Sequence, residues 1–270
     1  MSDQPAVFLE STALIDLVFK DLVTQNRVLA ALGKYSHKVT SRYVLYEVCR
    51  GYLQNFIQLY NRSIQCHNYA DLLAYTRRLY MKPHMLSSVL ECYEQFFRAG
   101  NLVDLDNALP QNVQVLHHLR AFLRRHIRQG WTRMHRIADE VINDVGCRQD
   151  LRPPIHDGAG FKQDLKTSRC GQYHNCELKL YVHNNLQPFS ALLKQLQALH
   201  NPDHETTRRV RAMRELIRKK KDTDFARNDC WHTSDAIIAQ EVPYNVTVLT
   251  SNANHYLPLV TALGKAMENY

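Results

Sequence analysis

Acidic and amide side chains follow short apolar runs near both ends of the chain. Glu10 follows the run Val7-Phe8-Leu9, and Asn252 follows the run 246–250. Short apolar runs are typical of buried strands, and parallel strands bring their carboxyl ends to one edge of a sheet. Acids at such an edge repel one another unless a cation neutralises them, and Mg²⁺ and Mn²⁺ prefer oxygen ligands. The pattern therefore predicts a divalent-metal site that could activate water against a phosphodiester.

Further acids lie where helices could hold them at the same edge. Glu47 lies on the helix after Lys38-Val39-Thr40-Ser41, beside a predicted apolar face. Asp235 lies at the start of an apolar helix, and Asp229 precedes it. Asp16 competes for the site, but its position inside the first helix favours a surface role.

The order of the apolar segments predicts an α/β fold. Ser11 or Thr12 can cap a first helix after the strand at 7–9. Strands at 7–9, 38–41 and 246–250 are separated by helices, which is typical of a parallel sheet. The middle of the chain is mostly helical by pattern. This predicts a core formed by residues 1–60 and 222–270, with a large helical insertion at 61–221.

Within the insertion, apolar residues recur at helical spacing. They predict helices over 85–97, 116–127, 131–145, 186–199 and 206–221. Glycines and prolines from Gly146 onward predict an irregular loop at about 146–188, with a short strand at 178–182.

Size and composition are those of an ordinary globular protein. A chain of 270 residues, 45% of them hydrophobic, can bury a substantial core. No apolar run approaches the ~20 residues of a membrane span, and the N-terminus lacks a signal-peptide layout, so we expect a cytoplasmic protein without a membrane partner. Seven irregularly spaced cysteines fit a reducing compartment. The net charge of +8 points toward a polyanionic partner, although many basic proteins bind none.

Four segments share a further pattern. The first is the strand, acid and hydroxyls of Val7-Phe8-Leu9-Glu10-Ser11-Thr12, and the second is a Thr/Ser-led helix with Glu47 before Arg50-Gly51. The third is Asp235-Ala236-Ile237-Ile238-Ala239, and the fourth is Thr250-Ser251-Asn252 with an aromatic residue shortly after. In this order they resemble the motifs of the PIN-domain nuclease superfamily, over roughly the first 55 and last 50 residues.

The resemblance implies a three-layer α/β fold with a central parallel sheet and the activity of a metal-dependent nuclease, foremost an endoribonuclease that uses metal-activated water. It implies that Glu10, Glu47 and Asp235 hold Mg²⁺ or Mn²⁺, that Asp229 adds a carboxylate, and that Asn252 positions a water or an outer ligand. Two positions depart from an all-Asp site, since Glu10 is longer than the usual Asp and Asn252 is an amide that active members also carry.

These departures keep a second function open, a catalytically silent PIN-like module that binds RNA or a partner protein. RNA is expected as a partner before DNA. An inhibitor protein of the antitoxin type and a second copy of the chain also stay open as partners. A third interpretation is a helical interaction protein, in which the acids would lie far apart.

Each polar residue also has a structural alternative. Asp235 could complement a helix N-terminus, Glu47 could be a solvated helix acid, and Asn252 could form an ordinary turn. Glu10 is the hardest to explain in this way, because an acid that ends a buried strand has few structural roles.

Two helical regions are rich in basic residues. Their ordinary explanation is a solvated face, but their place beside a candidate phosphodiesterase site favours a phosphate-binding surface. We expect this surface to be formed by Arg124, Arg128, Arg211, Arg214, Arg218, Lys219 and Lys220. Cys170, His174 and Cys176 lie close in sequence, but their spacing is not a standard zinc pattern, and ordinary thiols explain it better.

Overall fold

The structure is a computed structural model that describes residues 5–81, 83–100, 110–146, 151–162, 177–218 and 227–270. Side chains are described for all of these except residues 80, 81, 83, 84 and 227–229.

A parallel sheet of five described strands forms the centre of the fold. The strands are β1 (Ala6–Leu9), β2 (His37–Ser41), β3 (Glu140–Ile142), β4 (Val246–Thr250) and β5 (Met267–Asn269). Their order across the sheet is β3-β2-β1-β4-β5, and each neighbouring pair is parallel. The predicted α/β class is confirmed, and so are the strands predicted at 7–9, 38–41 and 246–250.

Helices make up most of the remaining described chain. They are α1 (Ser11–Phe19), α2 (Leu22–Leu32), α3 (Arg42–Val48), α4 (Gln54–Ile64), α5 (Tyr69–Arg77), α6 (Pro83–Arg98), α7 (Gln111–Met134), α8 (Leu178–Asn184), α9 (Leu186–Gln197), α10 (His204–Arg218), α11 (Arg227–His232), α12 (Ser234–Glu241) and α13 (Ala253–Ala262). A π-helical turn, Cys49–Leu53, joins α3 to α4, and a 3₁₀ turn, Arg78–Met81, follows α5. Across the described ranges, no helix combines the length and apolarity needed to cross a bilayer.

Both faces of the sheet are buried, as the alternation of side chains along β1 requires. Val7 and Leu9 belong to a smaller apolar cluster with α1 and α2. Phe8 belongs to the main core, which also takes in α3 to α7, α9, α12 and α13. Helices on both sides of a parallel sheet form the three layers that the sequence predicted.

The strand order reverses direction between β1 and β4. From β1 the chain adds β2 and β3 on one side, then returns to place β4 and β5 on the other. In open parallel sheets, ligands bind at the carboxyl ends of the strands beside such a reversal. Leu9 pairs with Leu249, which places Glu10 beside Thr250 at this point.

Two predictions for the middle of the chain were wrong. The helix predicted over 131–145 ends at Met134, and Glu140–Ile142 is the edge strand β3, held by parallel pairing with β2. The strand predicted at 178–182 is helix α8, because Leu178 and Val182 are buried at helical i, i+4 spacing. Since β3 lies within 61–221, the sheet extends into the range predicted as the insertion.

Candidate active site

Glu10 follows β1 directly and is the N-cap of α1. Its carboxylate accepts hydrogen bonds from the backbone N–H of Thr12 at 2.8 Å, from that of Ala13 at 3.2 Å, and from the Thr12 hydroxyl. The prediction that Ser11 or Thr12 caps this helix was therefore wrong, and Glu10 does have a structural role. Burial, with 1% exposure, raises the pKa of Glu10 to about 7 although the bonds from Thr12 act to lower it.

Glu47 projects from α3 toward the start of α1. The hydroxyl of Ser11 donates a hydrogen bond to its carboxylate, which ties the two helices together next to Glu10. Burial and then the negative charge of Asp235 raise the pKa of Glu47 to about 7, while Ser11 and Ser234 act to lower it. Glu47 is therefore not the solvated helix acid of the structural alternative.

Asp235 lies in the first turn of α12 and forms an ion pair with Arg209 of α10. The side chains of Arg209 and Asp235 are only 7% and 19% exposed. Burial alone would raise the pKa of Asp235, but His255 and the guanidinium of Arg209 outweigh it and hold the pKa below its ordinary value. Asp235 is therefore an ionised carboxylate in a largely buried position.

Arg209 is a buried cation with incomplete hydrogen bonding. Its Nη2 donates to Asp235, but Nε and Nη1 are buried without an acceptor in the described part of the chain. A buried charge is costly unless it is paired and hydrogen-bonded. The pair with Asp235 is therefore what holds this arginine in the protein interior.

His255 of α13 lies among three carboxylates. Its Nδ1 is 3.7 Å from Asp235, and its Nε2 is 3.6 Å from Asp203 and 3.7 Å from Glu205. Asp235 raises the pKa of His255 above its ordinary value, although burial acts in the opposite direction. Asp235 thus favours the protonated form of the ring.

The buried hydroxyl of Tyr256 lies near three of the acids. Tyr256 is 1% exposed, and its hydroxyl has no hydrogen-bond partner among the described residues. Burial and the charges of Glu10, Asp235 and Glu47 all raise its pKa. The three acids that the sequence singled out thus lie within electrostatic reach of one buried group, which argues against the helical interaction protein with distant acids.

A pocket of about 250 Å³ opens beside these acids. Asn252 lines it, and as the N-cap residue of α13 it makes no capping bond with its side chain. Its backbone N–H donates to the Thr250 hydroxyl at 2.9 Å. The full lining is Glu47, Glu205, Arg208, Arg209, Trp231, His232, Ser234, Asp235, Asn252 and His255. Glu10 is not among them, so its carboxylate lies behind the pocket wall.

The predicted basic surface is not part of this pocket. Arg124 and Arg128 on α7, and Arg211, Arg214 and Arg218 on α10, are exposed and do not line it. Lys219 and Lys220, the side chain of Asp229, and the trio Cys170, His174 and Cys176 lie outside what the structure describes.

Other arginines of the same basic region hold the fold together. Arg120 donates to the carbonyl oxygens of Ser63 and Cys66. Arg133 donates to those of Leu17 and Val18 at the end of α1. These contacts satisfy carbonyl groups that helix ends leave unpaired. Asp16 accepts a hydrogen bond from Tyr270 at 2.9 Å and is tied to the C-terminal strand region.

The donor set fits a hard divalent cation in kind. Carboxylates, a side-chain amide and hydroxyls are the ligands that Mg²⁺ and Mn²⁺ prefer. Burial is the main cause of the raised pKa values of Glu10 and Glu47, and the negative charge of Asp235 adds to it. In the described residues, however, no three His, Cys, Asp or Glu side chains form a group arranged to hold a metal ion. Arg209 and His255 supply the neighbouring positive charge instead.

Arg209, His255 and Trp231 are the site residues that sequence reasoning missed. A signal for Arg209 was present, because it falls on the buried stripe of α10 formed with Thr206, Met213 and Leu216. An arginine at an apolar-stripe position of an otherwise solvated basic helix is a candidate for an interior charge. Nothing in the sequence marked His255 or Trp231 apart from their closeness to the third and fourth motifs.

Comparison with known proteins identifies no family for this chain. No protein-family model, no curated protein and no solved structure matches it. Membership of the PIN-domain superfamily is therefore a proposal that depends on the four motifs and on the geometry of the site.

Proposed function

We propose that the protein is a metal-dependent nuclease of PIN type, foremost an endoribonuclease. The observation that carries the proposal is the convergence of Glu10, Glu47 and Asp235 at the carboxyl ends of β1 and β4, beside an open pocket. The charge of Asp235 adds to the effect of burial in raising the pKa values of Glu10 and Glu47, and acids gathered at this point of a parallel sheet favour a cation. The basic net charge of +8 supports a nucleic-acid partner.

Each residue of the site has a distinct part in this proposal. Glu47 and Asp235 face the pocket and would hold Mg²⁺ or Mn²⁺, with Glu10 behind them. When bound, the ion would lower the pKa of a water and offset the charge of a phosphodiester. The Asn252 amide lines the pocket and can orient a water by hydrogen bonding. His255 can hold a proton at Nε2 beside the pocket.

A specific observation favours the second function, a module that binds nucleic acid without cleaving it. The Arg209 guanidinium already neutralises Asp235, so the site has an internal cation where the nuclease needs a metal. An ion could bind only if it competed with this pair. Cleavage and binding must therefore be measured separately.

Cleavage is tested on labelled single-stranded RNA and DNA with Mg²⁺, Mn²⁺ or EDTA. E10Q and D235N should each lower the rate at least about 100-fold, as expected when a charged catalytic group is lost. E241Q is the matched control, because Glu241 is 2% exposed and has a pKa raised to about 7 like that of Glu10, but it lies at the opposite end of α12 from Asp235 and accepts a hydrogen bond from the backbone N–H of Val145. Equal rates in all four proteins, or cleavage that survives EDTA, would refute the proposal.

Location and further partners are part of the same proposal. Cys49, Cys66 and Cys92 form no disulfide, which agrees with a reducing compartment such as the cytoplasm. An inhibitor protein of antitoxin type would act by covering the pocket and would abolish cleavage at a stoichiometric ratio. Copurification of an acidic partner that inhibits cleavage is the test of that extension.

A further inference from the structure

Trp231 is an exposed aromatic residue at the edge of the pocket. It lies on α11, is 42% exposed and forms part of the pocket lining. The guanidinium of Arg50 lies over its ring at 4.7 Å from the ring centre. Since Arg50 covers one part of the ring while the residue stays exposed where it lines the pocket, the indole presents apolar surface to whatever enters.

Two arginines border the same space. Arg208 is exposed and lines the pocket. Arg209 lines the pocket too, but its Nη2 is paired with Asp235 and its Nε and Nη1 are buried, so Arg208 is the arginine that an anion can reach. Guanidinium groups bind phosphate oxygens through strong charge-assisted hydrogen bonds. The pocket therefore combines an aromatic surface with donors for an anion.

We propose that this pocket binds one unpaired nucleotide of a single-stranded nucleic acid, with its base against Trp231 and a neighbouring phosphate at Arg208. The inference rests on the proposed function, because it names the form of substrate that would reach the acids. It differs from the basic surface predicted by sequence, whose described arginines lie elsewhere on α7 and α10.

The preference for an unpaired base follows from the chemistry of stacking. Every base has a π-face, so an aromatic side chain binds bases with little regard to sequence. In a duplex those faces are already stacked, and single strands can turn their bases outward. Trp231 therefore selects for single strands rather than for a particular base.

Intrinsic fluorescence gives a direct readout, since the chain has two tryptophans. In a W131F background, Trp231 is the sole indole. Titration is done in EDTA, so that no metal-dependent cleavage occurs, with a single-stranded RNA octamer and with the same octamer as a duplex. The single strand should quench the Trp231 emission and bind at least tenfold more tightly than the duplex.

Variants separate stacking from charge. W231L should weaken binding of the single-stranded octamer by roughly 5- to 150-fold, which is the range for loss of one base–aromatic stack. W231F should keep most of the affinity. R208Q should weaken it about tenfold or more, and R211Q, an exposed arginine of the same helix that does not line the pocket, less than threefold. Binding of these variants is followed by anisotropy of labelled RNA in the Trp131-containing protein, which keeps the test valid if W131F is unstable.

The inference is overturned if RNA binds by anisotropy but leaves Trp231 emission unchanged, or if single strand and duplex bind equally. It is also overturned if W231L, folded by circular dichroism, binds like wild type. Failure of the nuclease proposal looks different, because quenching by single strands would persist while no variant or metal produced cleavage. Cleavage without Trp231 quenching would keep the nuclease and reject this subsite.

Discussion

Replacement of Arg209 by glutamine should destabilise the metal-free protein and tighten its binding of Mn²⁺. Removal of one partner of a buried ion pair costs about 3–5 kcal/mol. Two buried donors of Arg209 lack acceptors, and at about 1 kcal/mol each, the lower end of the usual cost, their removal offsets about half of that penalty. We therefore expect R209Q to lower the free energy of unfolding by about 2 kcal/mol, or Tm by roughly 4 °C.

R209Q should bind Mn²⁺ more tightly than wild type, although the substitution destabilises the metal-free protein. In wild type, an ion must share Asp235 with a guanidinium in direct contact. A unit charge at about 4 Å is worth about 4 kcal/mol at the effective dielectric constant of a protein surface, and solvent reduces this further. Loss of that repulsion should therefore tighten Mn²⁺ binding by roughly 10- to 100-fold, at about 1.4 kcal/mol for each factor of ten.

Titration of free Mn²⁺ by electron paramagnetic resonance measures this affinity without any need for cleavage. R211Q is the charge-matched control, because Arg211 is exposed on α10 outside the pocket, and it should shift the affinity less than threefold. R209Q/D235N should lose the gain, since the freed carboxylate is then absent. If R209Q bound Mn²⁺ no more tightly than wild type, the view of Arg209 as a competing cation would be wrong.

Three further predictions follow from packing and charge. G130A should lower the free energy of unfolding in urea by about 1–3 kcal/mol, because a Cβ at this position would clash with the Phe19 ring. Helix propensity alone would instead raise it by about 1 kcal/mol. G33A is the control, because a Cβ there makes only ordinary contacts, and it should cost nothing. Glu10 and Glu241 have pKa values raised from 4.5 to about 7, so the folded state keeps protons that the unfolded state releases. The free energy of unfolding of the metal-free protein should thus fall by up to about 3 kcal/mol for each of these groups as pH rises from about 5 to 8. E241Q should remove the contribution of Glu241 to this pH dependence. R124Q/R128Q should weaken RNA binding less than threefold in anisotropy, since neither arginine borders the pocket, and a larger loss would restore the basic surface of α7.

The central strands could be predicted from sequence because they are buried on both faces. β1 is a continuous apolar run, and β4 is apolar apart from Thr247 and Thr250, a composition typical of buried strands. The edge strands β3 and β5 gave no such signal, because their residues are exposed or half-buried. Their strand conformation depends on pairing with β2 and β4, which is a tertiary effect.

Three acids of the candidate site could be picked out in the sequence, but their partners could not. Glu10 follows a strand, Asp235 lies at a helix start, and Glu47 lies on the helix after β2. The pairing of Asp235 with Arg209 depends on how α10 packs against α9 and α11, and no local pattern specifies that packing. The pairing of buried charges is therefore the feature of this site that was hardest to predict from the sequence.

The hydrogen bonds of Glu10 limit what it can offer to a cation. A carboxylate has about four acceptor positions, and Thr12 and Ala13 use three of them through two backbone N–H groups and one hydroxyl. Because the Thr250 side chain also hydrogen-bonds to this carboxylate, Glu10 has little free acceptor capacity for a metal while it caps α1.

Charge and capping can be separated by two substitutions at this position. At pH 5, where Glu10 is protonated in the folded state, E10Q should be within about 1 kcal/mol of wild type in urea unfolding. E10A should lose a further 1–2 kcal/mol or so, because it removes the cap. Mn²⁺ binding should fall in both variants to the same extent, since both lack the charge. Equal stability of E10A and E10Q would mean that the cap contributes nothing, and would leave the cation as the reason for an acid at the end of β1.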